Sequence, residues 1–219
     1  SVKKFIYASS SSVYGIKKEQ DVDESMSLEP LTDYSKYKME CEEILKNYKS
    51  SNFAPIILRP ATVCGYSRRQ RLDVVVNILT NLAYNKKEIT VFGGKQLRPN
   101  IHINDMVNAY DTLIKSENSK ISGEIFNVGY ENHTVLELAN TVKNVIGKDV
   151  NIKLKSTDDN RSYHISSKKI KKMLNFESKF TISDAVKDLK NAFDSGLLPN
   201  SLEDDKYFNI KRMKLLNLS

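Results

Sequence analysis

The sequence predicts an α/β protein built on a largely parallel sheet, and three observations carry that expectation. Short apolar runs such as Phe5-Ile6-Tyr7-Ala8 and Pro55-Ile56-Ile57-Leu58 have the unbroken hydrophobicity of strands covered on both faces. Segments with apolar residues three and four positions apart alternate with these runs along the chain. The 219 residues, 40% hydrophobic and 28% charged, suffice for a buried core. They exclude a disordered tail, a collagen-like fibre and a disulfide-stapled miniprotein.

Taken in order, residues 4–9 read as a buried strand that runs into a serine loop, Ser9 to Ser12. Residues 19–31 are acidic and irregular, and Pro30 closes them. Residues 33–49 read as a helix capped by Thr32 or Asp33, with Tyr37, Cys41, Ile44, Leu45 and Tyr48 as its apolar pattern. Residues 55–60 form a second buried strand, followed by a loop over 61–70 and a helix over 72–85. A strand with a glycine turn spans 89–94, a short strand spans 100–103, and Asn104 caps a helix that runs to Ile114. Residues 124–129 read as a strand, 135–146 as an amphipathic helix stopped by Gly147, and 150–155 as a strand. Helices follow near 167–174 and 183–195. Past Gly196 no periodicity predicts structure.

Two cysteines, Cys41 and Cys64, cannot make a disulfide framework, and no Cys/His group has ligand spacing, so no metal is expected. No run approaches the about 20 apolar residues of a membrane span, and no signal peptide opens the chain. The expectation is a cytoplasmic protein with no membrane partner. The net charge of +7 comes mainly from lysines spread along polar helix faces (Lys168, Lys169, Lys171, Lys172). That pattern is solvated surface rather than a nucleic-acid footprint, so no nucleic acid is expected as a partner. The arginines, Arg59, Arg68, Arg69, Arg71, Arg98, Arg161 and Arg212, stand apart because a planar fork suits phosphate.

The sharpest local chemistry is Tyr34-Ser35-Lys36-Tyr37-Lys38. On a helix, Tyr34 and Lys38 share a face. A neighbouring ammonium favours the phenolate, which equips Tyr34 to take or give a proton on a substrate oxygen. Upstream, the first strand delivers Ser9, Ser10, Ser11 and Ser12 to the end of a strand, where ligands bind in open α/β sheets. A serine there can hold the oxygen that Tyr34 titrates. Alone, a Tyr-x-x-x-Lys spacing is weak evidence, with a solvent-facing helix pair as its alternative; the alternative for the serine run, a flexible polar loop, is disfavoured by its direct anchoring to a buried strand.

The series Ser9-Ser10-Ser11-Ser12-Val13-Tyr14-Gly15, Tyr34-x-x-x-Lys38, Leu58-Arg59-Pro60-Ala61-Thr62-Val63-Cys64-Gly65, Arg98-Pro99-Asn100-Ile101-His102-Ile103-Asn104-Asp105 and Phe126-Asn127-Val128-Gly129 resembles the extended short-chain dehydrogenase/reductase family. These are the NAD-dependent nucleotide-sugar epimerases and dehydratases. Five ordered motifs over roughly residues 4–193 carry the resemblance. It implies the C-terminal part of a Rossmann-type doubly wound parallel sheet plus a smaller α/β substrate-binding domain. Residues 1–65 would be a partial NAD-binding domain. Residues 66–195 would be mostly substrate-binding, with segments around 95–130 returning to the first domain, and 196–219 a C-terminal extension.

The resemblance further implies NAD (or NADP) as cofactor and a nucleoside-diphosphate sugar as substrate. Tyr34 is the implied acid/base, Lys38 holds the nicotinamide ribose and favours the Tyr34 phenolate, and Ser10 falls on the catalytic Ser/Thr. Ala8, Ser9, Pro60, Ala61 and Val63 join Tyr34 and Lys38 around the cofactor. Ser10, Ser11, Thr62, Arg98 and Arg161 are the implied substrate contacts, although Thr62 stands where many members have Asn. Arg161 is equally placed for an ion pair with Asp158 or Asp159. Asp105 and His102 read as structural, His102 as a packed neutral imidazole. The full-length protein is expected to be a homodimer.

The family's Gly-x-x-Gly-x-x-Gly turn, which holds the cofactor pyrophosphate, has no counterpart among the eight glycines. The expectation is therefore a fragment lacking about 100 N-terminal residues of the two-lobed fold, inactive alone. A chain that has lost the turn is the alternative. Family dehydratases carry Asp-Glu after the catalytic Thr and decarboxylating members a Glu at the position of Ser12, whereas this chain has only hydroxyls. The simplest remaining chemistry is epimerisation at the sugar C4 by transient oxidation. A 4-ketoreductase or a non-catalytic sugar-nucleotide binding module stands as alternative.

Overall fold

A computed structural model describes residues 2–19, 21–157, 162 and 164–218. At its centre lies β2 (Ala54–Pro60), every residue of which is buried except Pro60 at its end. It pairs in parallel with β1 (Lys4–Ala8) on one side and with β6 (Ile125–Val128) on the other. Strand residues alternate between the two faces of a sheet, and the two faces of β2 meet different neighbours. Ile56 and Leu58, with Phe126 beside them, join a core with Met106, Ala109 and Leu113 of α3 (Ile103–Lys115). On the other face, Arg59 meets α1 (Asp33–Asn47) through Glu42.

That meeting is an ion pair with both side chains out of water. Arg59 is 2% exposed and Glu42 fully buried. Arg59 Nη2 and Nε donate to the carboxylate at 2.6 and 3.0 Å. Ser9 Oγ donates to the same carboxylate in a short bond. Arg59 Nη1 donates to the Tyr14 hydroxyl at 2.8 Å, which in turn donates to Asn127 Oδ1 at 2.8 Å. Burial pushes the Tyr14 phenol up, with Arg59 opposing, and the neutral hydroxyl can serve both neighbours. Arg59 is thus a core residue, which corrects its inclusion among candidate phosphate forks.

The α1 helix starts at Thr32 as expected, through a capping box with Ser35. Its inward face is not the apolar pattern read from sequence. Tyr37, Ile44 and Tyr48 are 64%, 55% and 67% exposed, while Ser35 and Glu42 are buried and Lys38 and Met39 half-buried. The inward stripe, 35-38-39-42, has helical spacing but is mostly polar, because its partner on β2 is a guanidinium. β1 is likewise less buried than a two-faced strand. It is the edge of its sheet, and Phe5 is 42% exposed.

A second core surrounds α2 (Val75–Lys86), β4 (Glu88–Phe92), α5 (Val135–Ile146) and α7 (Ile182–Asp194). β4 pairs in parallel with β8 (Asn151–Lys155). A third sheet, β3 (Thr62–Cys64), β5 (Leu97–His102) and β7 (Glu131–Thr134), joins these parts. β3 falls in the stretch read as a loop, and β7 was not anticipated. At three and four residues they are too short for a two-residue period to declare itself. The helix over 72–85 begins three residues later, at Val75. The α3 cap is His102, whose Nδ1 accepts the Asn104 amide at 3.1 Å, rather than Asn104. His102 is buried and stacks on Phe180, and Asp105 accepts the Lys179 and Phe180 amides at 2.9 Å each.

Between β6 and β7 the chain is short, and α4 (Asn118–Ile121) precedes β6. α6 (Lys168–Leu174) follows β8. The C-terminal stretch is ordered: a 3-10 turn (Asp205–Tyr207) and α8 (Asn209–Leu215) fold against residues 69–73. Tyr207 and Leu198 share a small core with Leu72, Leu189 and Phe193. Cys41 and Cys64 are free thiols. Among the described residues, no helix is long and apolar enough to cross a membrane and no group of three His, Cys, Asp or Glu could hold a metal ion.

Glu42→Ala should destabilise the protein by about 3–5 kcal/mol, because it strands a buried guanidinium, whereas the paired replacement Glu42→Leu with Arg59→Met should recover most of the loss. Denaturant melts of the three proteins check this, and a double variant no better than the single one would count against it. Gly15 has φ +69°, and an added Cβ would stand 2.0 Å from the Glu29 carbonyl oxygen. Gly15→Ala should therefore lower stability by more than about 2 kcal/mol in the same assay.

Candidate active site

The site begins where β2 ends. Pro60 has no N–H for the ladder, and the chain leaves one sheet there and enters another at Thr62, whose strand pairs with β5. The Ala61 amide still donates to the Val128 carbonyl at 2.8 Å, so the changeover is held close to the first sheet. A hollow of about 260 Å³ lies at this changeover, lined by Ser9, Ser10, Ser11, Tyr34, Pro60, Ala61, Thr62, Val63, Arg71 and Val74. Eight of these ten were singled out from sequence.

The serines do not form a loose loop. Ser11–Tyr14 is a 3-10 turn with Ser10 as its N-cap. Ser10 Oγ accepts the Ser12 amide at 3.2 Å and bonds Ser12 Oγ at 2.8 Å. A hydroxyl has one donor and two acceptor positions, so Ser10 retains capacity for a third partner in the hollow. Ser9 is committed to Glu42, and its part is to fix the end of β1.

Tyr34 lies in the first turn of α1 and is 59% exposed. Lys38, one turn on, donates to the Ala8 carbonyl at 2.7 Å. Its ammonium lies 5.6 Å from the Tyr34 ring centre and 5.0 Å from that of Tyr7. Burial, with Cys41 beside it, pushes the Tyr7 phenol well up. Tyr7 therefore stays neutral, and Tyr34 is the phenol that lines the hollow. The Ala8 bond accounts for one of the three ammonium protons of Lys38 and leaves two to donate elsewhere.

Arg98 is not in this hollow. It lines an adjoining one of about 440 Å³, together with Thr62, Asp73, Val74, Ile78, Leu82, Thr90, Phe92, Gln96 and others. Thr62 and Val74 belong to both, so the two are neighbours with Thr62 at the junction. Phe92 is 55% exposed and offers a flat apolar surface. Arg98 Nη1 donates to the Leu97 carbonyl at 2.9 Å. Arg161, with Asp158 and Asp159, lies outside the described residues. Sequence reasoning missed Arg71, Val74 and Phe92 as lining residues. Arg71 stood among the seven arginines, but nothing in the spacing tied it to Tyr34. The Cys64 thiol, pushed up to about 12 by burial with Glu131 adding to it, is an inert core group.

The profile of the NAD dependent epimerase/dehydratase family matches residues 1–129. The chain is 32% identical over 193 residues to a Bacillus subtilis protein described as an uncharacterized UDP-glucose epimerase, covering 85% of this chain and 59% of the relative. It is 27% identical to UDP-glucose 4-epimerase 2 of Arabidopsis thaliana, covering 86% of this chain and 60% of that protein. Among solved structures, UDP-glucose 4-epimerase of Thermotoga maritima with UDP-glucose superposes with a TM-score of 0.80 at 25% identity, over 90% of this chain and 65% of that one. UDP-glucuronic acid 4-epimerase of Bacillus cereus, in complex with UDP-glucuronic acid and NAD, gives 0.77 at 26% identity, over 88% and 62%. The chain thus spans less than two thirds of the length of each of these proteins. The profile match takes in the serine turn, the Tyr34–Lys38 helix, the changeover at Pro60 and the strand of Arg98, and the chain belongs to the NAD dependent epimerase/dehydratase family of enzymes, with its Rossmann-type α/β fold.

Proposed function

We propose that the full-length protein is an NAD-dependent nucleotide-sugar 4-epimerase in which Tyr34 is the acid/base. The observation that carries this reading is the convergence of Ser10 and Tyr34 on one hollow at the Pro60–Val63 changeover, with Lys38 close to the phenol ring. In that reading β1, β2 and β6 with α1 and α3 form the cofactor half. The second core and the β3-β5-β7 sheet form the substrate half.

The residues present suit the cofactor. Lys38 has donors left after Ala8 for the ribose hydroxyls, and Pro60, Ala61 and Val63 give an aliphatic wall for a flat ring. When bound, NAD supplies the hydride acceptor and donor that inversion at a carbinol carbon requires. Tyr34 takes the hydroxyl proton as the carbon is oxidised and returns it on reduction, with the Lys38 ammonium 5.6 Å from its ring centre. Ser10 uses its remaining hydrogen-bonding capacity to hold the reacting oxygen beside Tyr34. Thr62, at the junction, contacts the sugar. Arg98 takes the diphosphate as a charged fork, and Phe92 packs the nucleobase. The exposed face of Tyr37, Ile44 and Tyr48 on α1 suits a second copy of the chain, in keeping with a homodimer.

The test is C4 inversion of UDP-glucose by the full-length protein, followed by NMR. Tyr34→Phe should lower kcat about 10²–10⁴-fold while the protein still binds NAD, and Lys38→Met should lower kcat and weaken NAD binding together. Full activity in Tyr34→Phe would sink the assignment. Net consumption of reduced cofactor without inversion would assign a 4-ketoreductase instead.

A further inference from the structure

Arg71 lines the same hollow as Ser10 and Tyr34. Its Nε donates to Asp73 Oδ1 at 2.9 Å, while neither Nη has a hydrogen-bond partner among the described residues. Among the described residues no carboxylate lines the hollow; its other groups are hydroxyls, Tyr34 and aliphatic surface. A guanidinium whose Nε is taken by Asp73 still has its two Nη groups, which can meet a planar carboxylate bidentately. The proposed function assigns the diphosphate to Arg98, which lines the adjoining hollow.

The aim of Arg71 is fixed from behind by the C-terminal segment. Asp73 Oδ2 accepts the amide of Asn209, the first residue of α8, at 2.8 Å. Arg69 donates to the Lys206 carbonyl and to Asn209 Oδ1, both at 3.2 Å, and the Leu72 amide donates to the Tyr207 carbonyl at 2.9 Å. Residues 206–209 therefore strap the segment 69–73 on both sides of Arg71. The strap holds Asp73, which takes Nε and leaves both Nη groups without a hydrogen bond among the described residues.

We infer that Arg71, held by Asp73 and the C-terminal strap, is a specificity-determining residue that selects a nucleotide sugar carrying a carboxylate on the ring. The inference rests on the sugar-nucleotide reading above and narrows its substrate class. Asp73 offsets part of the arginine charge and the side chain is 46% exposed, so the discrimination expected is about tenfold, the order of one modest polar contact.

The experiment is calorimetric titration of the full-length protein, loaded with NAD, with UDP-glucuronic acid and with UDP-glucose. The natural protein should bind UDP-glucuronic acid about tenfold more tightly. Arg71→Met should bring the ratio of the two affinities close to one, chiefly by weakening the uronic acid. Asn209→Pro should lower the ratio to an intermediate value, because proline is accepted at the first helical position and removes the amide that holds Asp73. A natural protein with no preference, or an Arg71→Met variant that weakens both ligands equally, would overturn the inference. Inversion of UDP-glucose without a preference for the uronic acid overturns this inference alone. Failure to bind either sugar nucleotide overturns it together with the function on which it rests.

Discussion

The Arg59–Glu42 pair is the constraint on which the site depends. Two charges are taken out of water in the middle of the sheet, and such a pair is tolerable only when every remaining donor and acceptor is matched. The matching groups are Ser9 at the end of β1, Tyr14 in the serine turn and Asn127 on β6. One guanidinium therefore sets the relative positions of α1, three strands and the turn that carries Ser10. Glu42 lies two helical turns beyond Tyr34 and one beyond Lys38. Fixing Glu42 against the sheet fixes where Lys38 reaches Ala8 and where Tyr34 emerges. The network extends to the far side of β6, where the Asn127 amide donates to Glu24 Oε1 at 2.6 Å and its side chain to the Val22 carbonyl at 3.2 Å.

Hydrophobic pattern located the main strands because their signal is burial, and burial leaves an apolar run. It failed on α1 for a physical reason. The inward stripe of that helix is chosen to satisfy an arginine, so the outward face is the more apolar, and a reading that seeks apolar residues inside inverts the helix. The short strands β3 and β7 escaped for another reason, since a few residues carry no period. The C-terminal segment escaped because it is held by backbone donors and acceptors, Leu72 to Tyr207 and Asn209 to Asp73, which leave no mark on side-chain pattern.

Much of the candidate site was legible because its chemistry is local in sequence. Tyr34 and Lys38 are one helical turn apart, the serines follow one strand, and Pro60 to Val63 follow another. What joins these pieces is the parallel register, in which Ala8 pairs with Leu58 and strand ends come to one edge. Arg98 was singled out from sequence as a candidate fork, but not its displacement into the neighbouring hollow. That displacement comes from β5, which pairs with β3 and not with the central sheet. Arg71 became visible only once residues 66–74 were folded back beneath the C-terminal strap.

The two hollows differ in a way that bears on the reaction. Among the described residues, the one around Tyr34 holds hydroxyls and an arginine but no carboxylate, while the one around Arg98 is largely apolar with Asp73 in its lining. Elimination of water from a sugar needs a second acid/base group near the carbon that loses its proton, and a carboxylate is the usual supplier. Asp73 lines the adjoining hollow, and both of its oxygens are engaged, one by Arg71 and one by the Asn209 amide. A carboxylate spent on orienting an arginine is a poor base. Among the described residues of that hollow, the proposed role of proton acceptor falls to Tyr34, and one proton acceptor is what reversible oxidation of a hydroxyl requires. In the proposed reading, chemistry and selectivity fall on different residues of one hollow: a phenol that handles the proton, and a guanidinium that recognises the ring.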